Sequence, residues 1–186
     1  MSQTAEAKVT GRKREMVIFL DRAVLAFARH WLAFFNLFMG VLVGLSLVPP
    51  ILMGAGWAVP AQTLYLAYRL ICHQLWSRHY LLFGYPTALD HRSLAIYGSI
   101  LVAGLAFDLV RARLRPLPWQ AYLLFIAPMA LDGFTQLFGW RESTWWLRTI
   151  TGTLFGVGTV WLAYPYMEEG LGQVCGDLER VLNGIG

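Results

Sequence analysis

"VPAQTLYLAYRLICHQLW" occupies residues 59–76, and its reading decides how many times the chain crosses a bilayer. On a helix of about 3.6 residues per turn, Gln62, Arg69 and His73 align in one stripe flanked by Cys72. Leu64, Ala67, Tyr68, Ile71 and Leu75 face the other way. The pattern predicts an interfacial or re-entrant helix over 59–76, one side on lipid and the other on polar neighbours. A fifth full span is the rival reading. Arg69 and His73 weigh against it, because a charge at bilayer depth is costly.

Outward from this segment lie four stretches near the length of about 20 apolar residues that a spanning helix needs. They cover about 31–50, 94–110, 119–140 and 149–167. Trp31, Trp119, Trp140 and Tyr166 stand at their ends, where amphipathic rings favour the headgroup zone. Ahead of the first, "MVIFLDRAVLAFARH" (16–30) mixes apolar residues with Asp21, Arg22, Arg29 and His30 and predicts a surface helix. The expected fold is an all-α integral membrane bundle of four transmembrane helices, with this surface helix and the interfacial one. Residues 1–15 form a polar tail without the features of a cleavable signal, 16–167 a single membrane domain, and 168–186 a cytoplasmic tail.

Composition agrees. The chain is 57% apolar and 14% charged, whereas a soluble domain carries about 45–50% and about 25%. The net charge of +4 is no sign of nucleic-acid binding, because the basic residues sit at the ends of apolar runs. With the N-terminus inside, Lys8, Arg12, Lys13, Arg14, Arg22, Arg29, Arg111, Arg113, Arg115 and Arg180 are cytoplasmic. Only Arg69, Arg78, Arg92, Arg141 and Arg148 are outside. This excess predicts a multi-pass protein of the cell (inner) membrane with both termini cytoplasmic.

That topology puts "YRLICHQLWSRH" (68–79) and "RESTWWLR" (141–148) on one side, so two polar clusters distant in sequence can meet. Asp132, Thr135 and Gln136 share a helix face that continues toward Arg141 and Glu142. An acid inside a span needs a partner. Arg69, Arg141 and Arg148 are the expected cations, with Thr135 or Gln136 completing the shell. Either a structural pair or a site that binds or moves something satisfies this pattern.

Cys72, His73, Asp90 and His91 are competent metal ligands. Adjacent residues on a helix point about 100° apart, however, so Cys72 and His73 hardly reach one ion together. Cys72 and Cys175 make no C-x-x-C pair, and no Gly-rich phosphate loop, G-x-S-x-G or H-E-x-x-H occurs. His30 alone is placed to ligate a haem or chlorophyll, and the sequence assigns no cofactor. Gly40-x-x-x-Gly44, Ser99-x-x-x-Ala103 and Gly152-x-x-x-Gly156 predict close helix packing. Pro128 predicts a kink below Asp132.

"ICHQLWSRHYLLFG", "DHRSLAIYGS" and "LDGFTQLFGWRESTWWLRTITGTLFG" resemble the three blocks of a bacterial and archaeal family of multi-pass membrane proteins, domain of unknown function 2085, over about 65–160. The third block matches at Asp132, Gly133, Thr135, Gln136, Gly139, Arg141, Glu142, Ser143, Thr144, Leu147, Arg148, Thr151 and Gly152, the first at Cys72, His73, Gln74 and Arg78. In the second, the family pattern Cys-x-Arg-Cys-x-Gly-Ile-Tyr is replaced by a run with Asp90, Arg92, Ser93, Ala95, Ile96 and Tyr97. The resemblance implies a metal or redox site in the parent pattern, and Asp90 and Ser93 remove two of its thiols here.

The expected site is an outer polar cluster of Arg69, Cys72, His73, Gln74, Arg78, Asp132, Thr135, Gln136, Arg141, Glu142, Ser143 and Arg148. The leading expectation is a non-enzymatic accessory or structural subunit. Its partners are the lipid bilayer and other membrane subunits or copies of itself, not nucleic acid. A small transporter using Asp132 and a metal-dependent membrane enzyme are the alternatives.

Overall fold

The computed structural model describes residues 11–185; Lys8 and most of the polar tail lie outside them. Five α-helices follow in order: α1 Arg12–Gly54, α2 Ala58–Tyr68, α3 His91–Val110, α4 Trp119–Leu137 and α5 Trp145–Ile185. Between α2 and α3 come a 3-10 turn, Trp76–Arg78, and two strands, β1 His79–Leu82 and β2 Tyr85–Asp90. The helical class is as expected. The strands are not, and they correct the reading of the segment before α3.

The surface helix and first span expected on either side of residue 30 both fall within α1, where non-helical dihedrals at His30 (φ −117°, ψ 15°) separate one helical stretch from the next. The helix expected over 59–76 stops at Tyr68. The Gln74 amide turns back and donates at 2.6 Å to the Tyr65 carbonyl of the last turn, which also accepts from the Arg69 N–H at 3.2 Å. Gln74 itself has a positive φ of 49°, which a helix does not accommodate. Arg69 and His73 therefore leave the stripe that a continued helix would give them.

The chain then forms an antiparallel hairpin with Leu82 paired to Tyr85 and His79 to Asp90. Its two central residues, Phe83 (φ 54°) and Gly84 (φ 82°), both have the positive φ that the common two-residue hairpin turn requires. Ala88 and Leu89 are fully buried and pack with Tyr68 and Cys72, against Leu42, Tyr65, Leu94 and Tyr97. Two tyrosines fasten the hairpin layer. Tyr65 Oη donates to the Pro86 carbonyl and Tyr68 Oη to the Leu42 carbonyl, each at 2.5 Å. Burial pushes both phenols above their ordinary pKa, which keeps them protonated as donors.

Two helices, Arg14–Gly54 and His91–Val110, are long and apolar enough to cross a membrane. The stretches expected as third and fourth spans are helical but fall short of that measure. Asp132, Thr135 and Gln136 dilute α4, and Thr149, Thr151, Gly152 and Thr153 dilute α5. α4 ends where Gly139 adopts a positive φ of 69°; its N–H bonds the Gln136 carbonyl at 3.1 Å and the Trp140 N–H the Thr135 carbonyl at 3.0 Å.

The small residues of α5 serve close packing inside the fold. A Cβ on Gly156 would stand 2.7 Å from the Ile96 carbonyl oxygen, and one on Gly152 2.9 Å from that of Arg92. The Gly152-x-x-x-Gly156 face therefore lies directly on the backbone of α3.

The chain divides into two compact units: Leu32–Tyr166, and the described parts of Met1–Trp31 and Met167–Gly186. In the smaller unit, Trp31 Nε1 donates to Glu168 Oε2 at 3.0 Å and Arg29 pairs with Glu179 at 2.7 Å. The tail beyond 167 is thus helical, as the end of α5.

Candidate functional site

Every residue of the expected polar cluster lies in the larger unit, and Asp132 is its centre. α4 delivers this carboxylate at 2% exposure, one turn after Pro128. Oδ1 accepts from Arg141 Nη2 at 2.8 Å. Oδ2 accepts from Ser143 Oγ at 2.6 Å and from Arg92 Nη2. Three donors from two segments thus converge on one buried acid: Arg92 at the start of α3, and Arg141 and Ser143 in the loop that joins α4 to α5.

Of the cations expected beside Asp132, Arg141 is there and Arg69 and Arg148 do not bond it. Arg69 follows α2 and lines a separate cavity of about 380 Å³ with Gln62, Tyr65, Gln74 and His79. Thr135 does not complete the carboxylate shell. Its hydroxyl donates to the Asp132 backbone carbonyl at 3.1 Å and accepts from Arg141 Nε at 3.3 Å.

Gln136 does not bond Asp132 either. With its amide oxygen facing two guanidinium groups, the orientation that satisfies both ends of the amide, it accepts from Arg78 Nη2 at 2.9 Å and Arg148 Nη2 at 3.0 Å. Arg148 is buried at 7% exposure. Arg78 and Arg92 stand close enough to repel it, and Asp90 and Asp132 close enough to attract it.

Sequence reasoning missed Arg92 as a partner of Asp132. It also placed Ser143 in the cluster without its bond to the acid. Arg92 was legible as an outer-side cation at the start of an apolar helix, but Arg69 and Arg148 shared that description.

Three of the four metal-ligand candidates, Cys72, His73 and Asp90, line one cavity, but they are not grouped as a ligand set. Cys72 is buried in the apolar layer under the hairpin. Asp90 caps α3, its Oδ1 accepting from the Ser93 N–H at 2.6 Å. His91 is buried edge-on to the Tyr80 ring, centroids 4.3 Å apart. His73 is exposed and lines a cavity of about 290 Å³ with Cys72, Gln74, Arg78, Asp90 and Ser93. Among the described residues, no group of three or more His, Cys, Asp or Glu is placed to hold a metal ion. Glu142 is exposed on the loop beside Arg141.

His79, outside the expected set, is buried at the start of β1. Its Nδ1 meets the Thr87 carbonyl at 2.6 Å, so that nitrogen carries the proton, and its Nε2 has no partner.

Residues 72–162, which hold all of this cluster except Arg69, match a family described as predicted membrane protein, DUF2085. An uncharacterised protein of Methanocaldococcus jannaschii is 37% identical over 116 residues, 61% of this chain and 74% of that one. An uncharacterised protein of Methanothermobacter thermautotrophicus is 32% identical over 93 residues, 50% of this chain and 84% of that one. No solved structure matches. The shared stretch is the one that gathers the donors around Asp132, and the chain belongs to this family of predicted membrane proteins, as its three sequence blocks imply.

Proposed function

We propose that this chain is a non-enzymatic membrane protein of four crossings, an accessory subunit that packs its helices against partners in a larger membrane assembly. The observation that carries this reading is the saturation of Asp132. A carboxylate that accepts from two guanidinium groups and a hydroxyl is fixed in place. A group so committed ties segments together.

The distribution of polarity supports the crossings of α4 and α5. On α4, Leu124 (74%), Leu131 (66%), Phe134 (58%) and Leu137 (78%) are exposed while Asp132 is buried. Such a surface suits lipid, where apolar groups face outward and ionisable ones face the bundle. The Lys/Arg excess supports both termini on the cytoplasmic side of the cell membrane. Gly44 in α1 has nothing within 4 Å of where a Cβ would stand, which leaves a small-residue face for a neighbouring helix.

Two measurements test the proposal. Single cysteines at Ser77 and Ala112 should be labelled from opposite sides of the membrane, Ser77 from outside; labelling of Ala112 from outside overturns the orientation. Native purification should yield an assembly heavier than one copy, and a lone monomer in mild detergent overturns the subunit role.

A further inference from the structure

We propose that Arg78 and Arg148, joined by Gln136 and backed by Arg92, form a binding site for a phosphate group on the hairpin side of the Asp132 network. The proposal does not depend on the subunit reading. It starts from an imbalance of charge. Four guanidinium groups, those of Arg78, Arg92, Arg141 and Arg148, gather about two carboxylates, Asp132 and Asp90.

Both acids are committed, Asp132 to its three donors and Asp90 to the Ser93 N–H that starts α3. Arg141 and Arg92 are matched by Asp132. Arg78 and Arg148 share only a neutral amide oxygen, although Arg148 is buried. A buried guanidinium such as that of Arg148 is costly without an anion to neutralise it, and with the half-buried Arg78 beside it the pair sets a preference for a dianion. The Arg92 Nε is a further buried donor without an acceptor among the described residues.

Geometry opens the arginine pair to an anion from the Arg78 side, while Arg148 lies behind the shared Gln136 oxygen and does not line the cavity. Arg78 forms a wall of the cavity of about 290 Å³, together with His73, Gln74, Asp90 and Ser93. That volume lies at the small end for ligand pockets and suits a headgroup or an inorganic ion. Guanidinium forks match the oxygens of phosphate in pairs, which favours phosphate over a halide. The Asp90 carboxylate on the same wall disfavours anions that cannot engage both arginines.

The same chemistry can come from free phosphate or from an anionic lipid headgroup. The test uses the purified full chain in detergent, with its thermal midpoint followed against inorganic phosphate at fixed ionic strength. A parallel arm uses phosphatidylcholine nanodiscs with and without phosphatidate. A saturable rise of the midpoint with phosphate, with no further rise in phosphatidate discs, supports the site with a soluble source. A rise in phosphatidate discs that phosphate competes away supports it with a lipid source.

In either arm Arg78→Gln should weaken binding about tenfold or more. Should that variant fail to fold, Arg78→Lys keeps the charge but loses the fork, and a loss of about threefold or more supports the site. No response to either probe beyond that of chloride overturns the proposal, and so does wild-type affinity in the variant that folds.

Discussion

Asp132 and Arg141 are nine residues apart and meet at 2.8 Å, across the glycine turn that ends α4. The turn folds the chain back so that the arginine just outside the helix returns to the acid just inside it. Ser143, two residues further on, reaches the other carboxylate oxygen at 2.6 Å and is itself buried. Ser143→Ala should therefore destabilise the protein by about 1.5–3 kcal/mol, the range for a hydrogen bond to a charged group. Ser77→Ala, on an exposed hydroxyl, should be neutral within about 0.5 kcal/mol. Thermal or denaturant unfolding in detergent measures both, and equal effects would remove Ser143 from the network.

The contact of α5 with α3 predicts a contrast between glycines. Gly156→Val places a branched side chain against the Ile96 carbonyl and should cost about 1–3 kcal/mol or more. Gly44→Ala meets open space within a helix and should stabilise the monomer by about 0.5–1 kcal/mol. Unfolding midpoints of the two variants check this, and the reverse order would show that α3 and α5 do not touch there.

The hairpin turn predicts a gain. Phe83 holds a positive φ of 54° with its ring 74% exposed, so it carries strain with little burial in return. Asn tolerates that conformation and favours this turn when followed by Gly. Phe83→Asn should raise stability by about 0.5–1 kcal/mol. A lower unfolding midpoint would mean that the ring contributes more than its strain costs.

Much of this architecture was legible in the residues. Apolar runs bounded by Trp and Tyr located the helices, and an acid within such a run announced a buried pair at Asp132. What sequence could not rank were the donors. Arg69, Arg92 and Arg148 all stand near helix ends, and only the tertiary fold shows that Arg92 reaches the carboxylate while Arg148 turns to Gln136.

The hairpin itself was hidden. Its Phe83–Gly84 turn lacks the Asn-Gly signal, and Pro86 argues against a strand unless that strand is an edge. The end of α2 was hidden for a similar reason. Residues 69–73 continue a plausible helical stripe, and nothing among them marks the stop at Tyr68.

The claim that Asp132 ties separate segments together through charge is tested most directly by a double-mutant cycle with Arg92, its partner across 40 residues. Asp132→Asn alone should cost about 3–5 kcal/mol, because Arg92 and Arg141 are left beside an uncharged and partly mismatched group. Arg92→Gln added to it should recover about 1 kcal/mol or more, giving a coupling well beyond the scatter of independent sites. Losses that add to within about 0.5 kcal/mol would contradict the account, since the two side chains would then act independently.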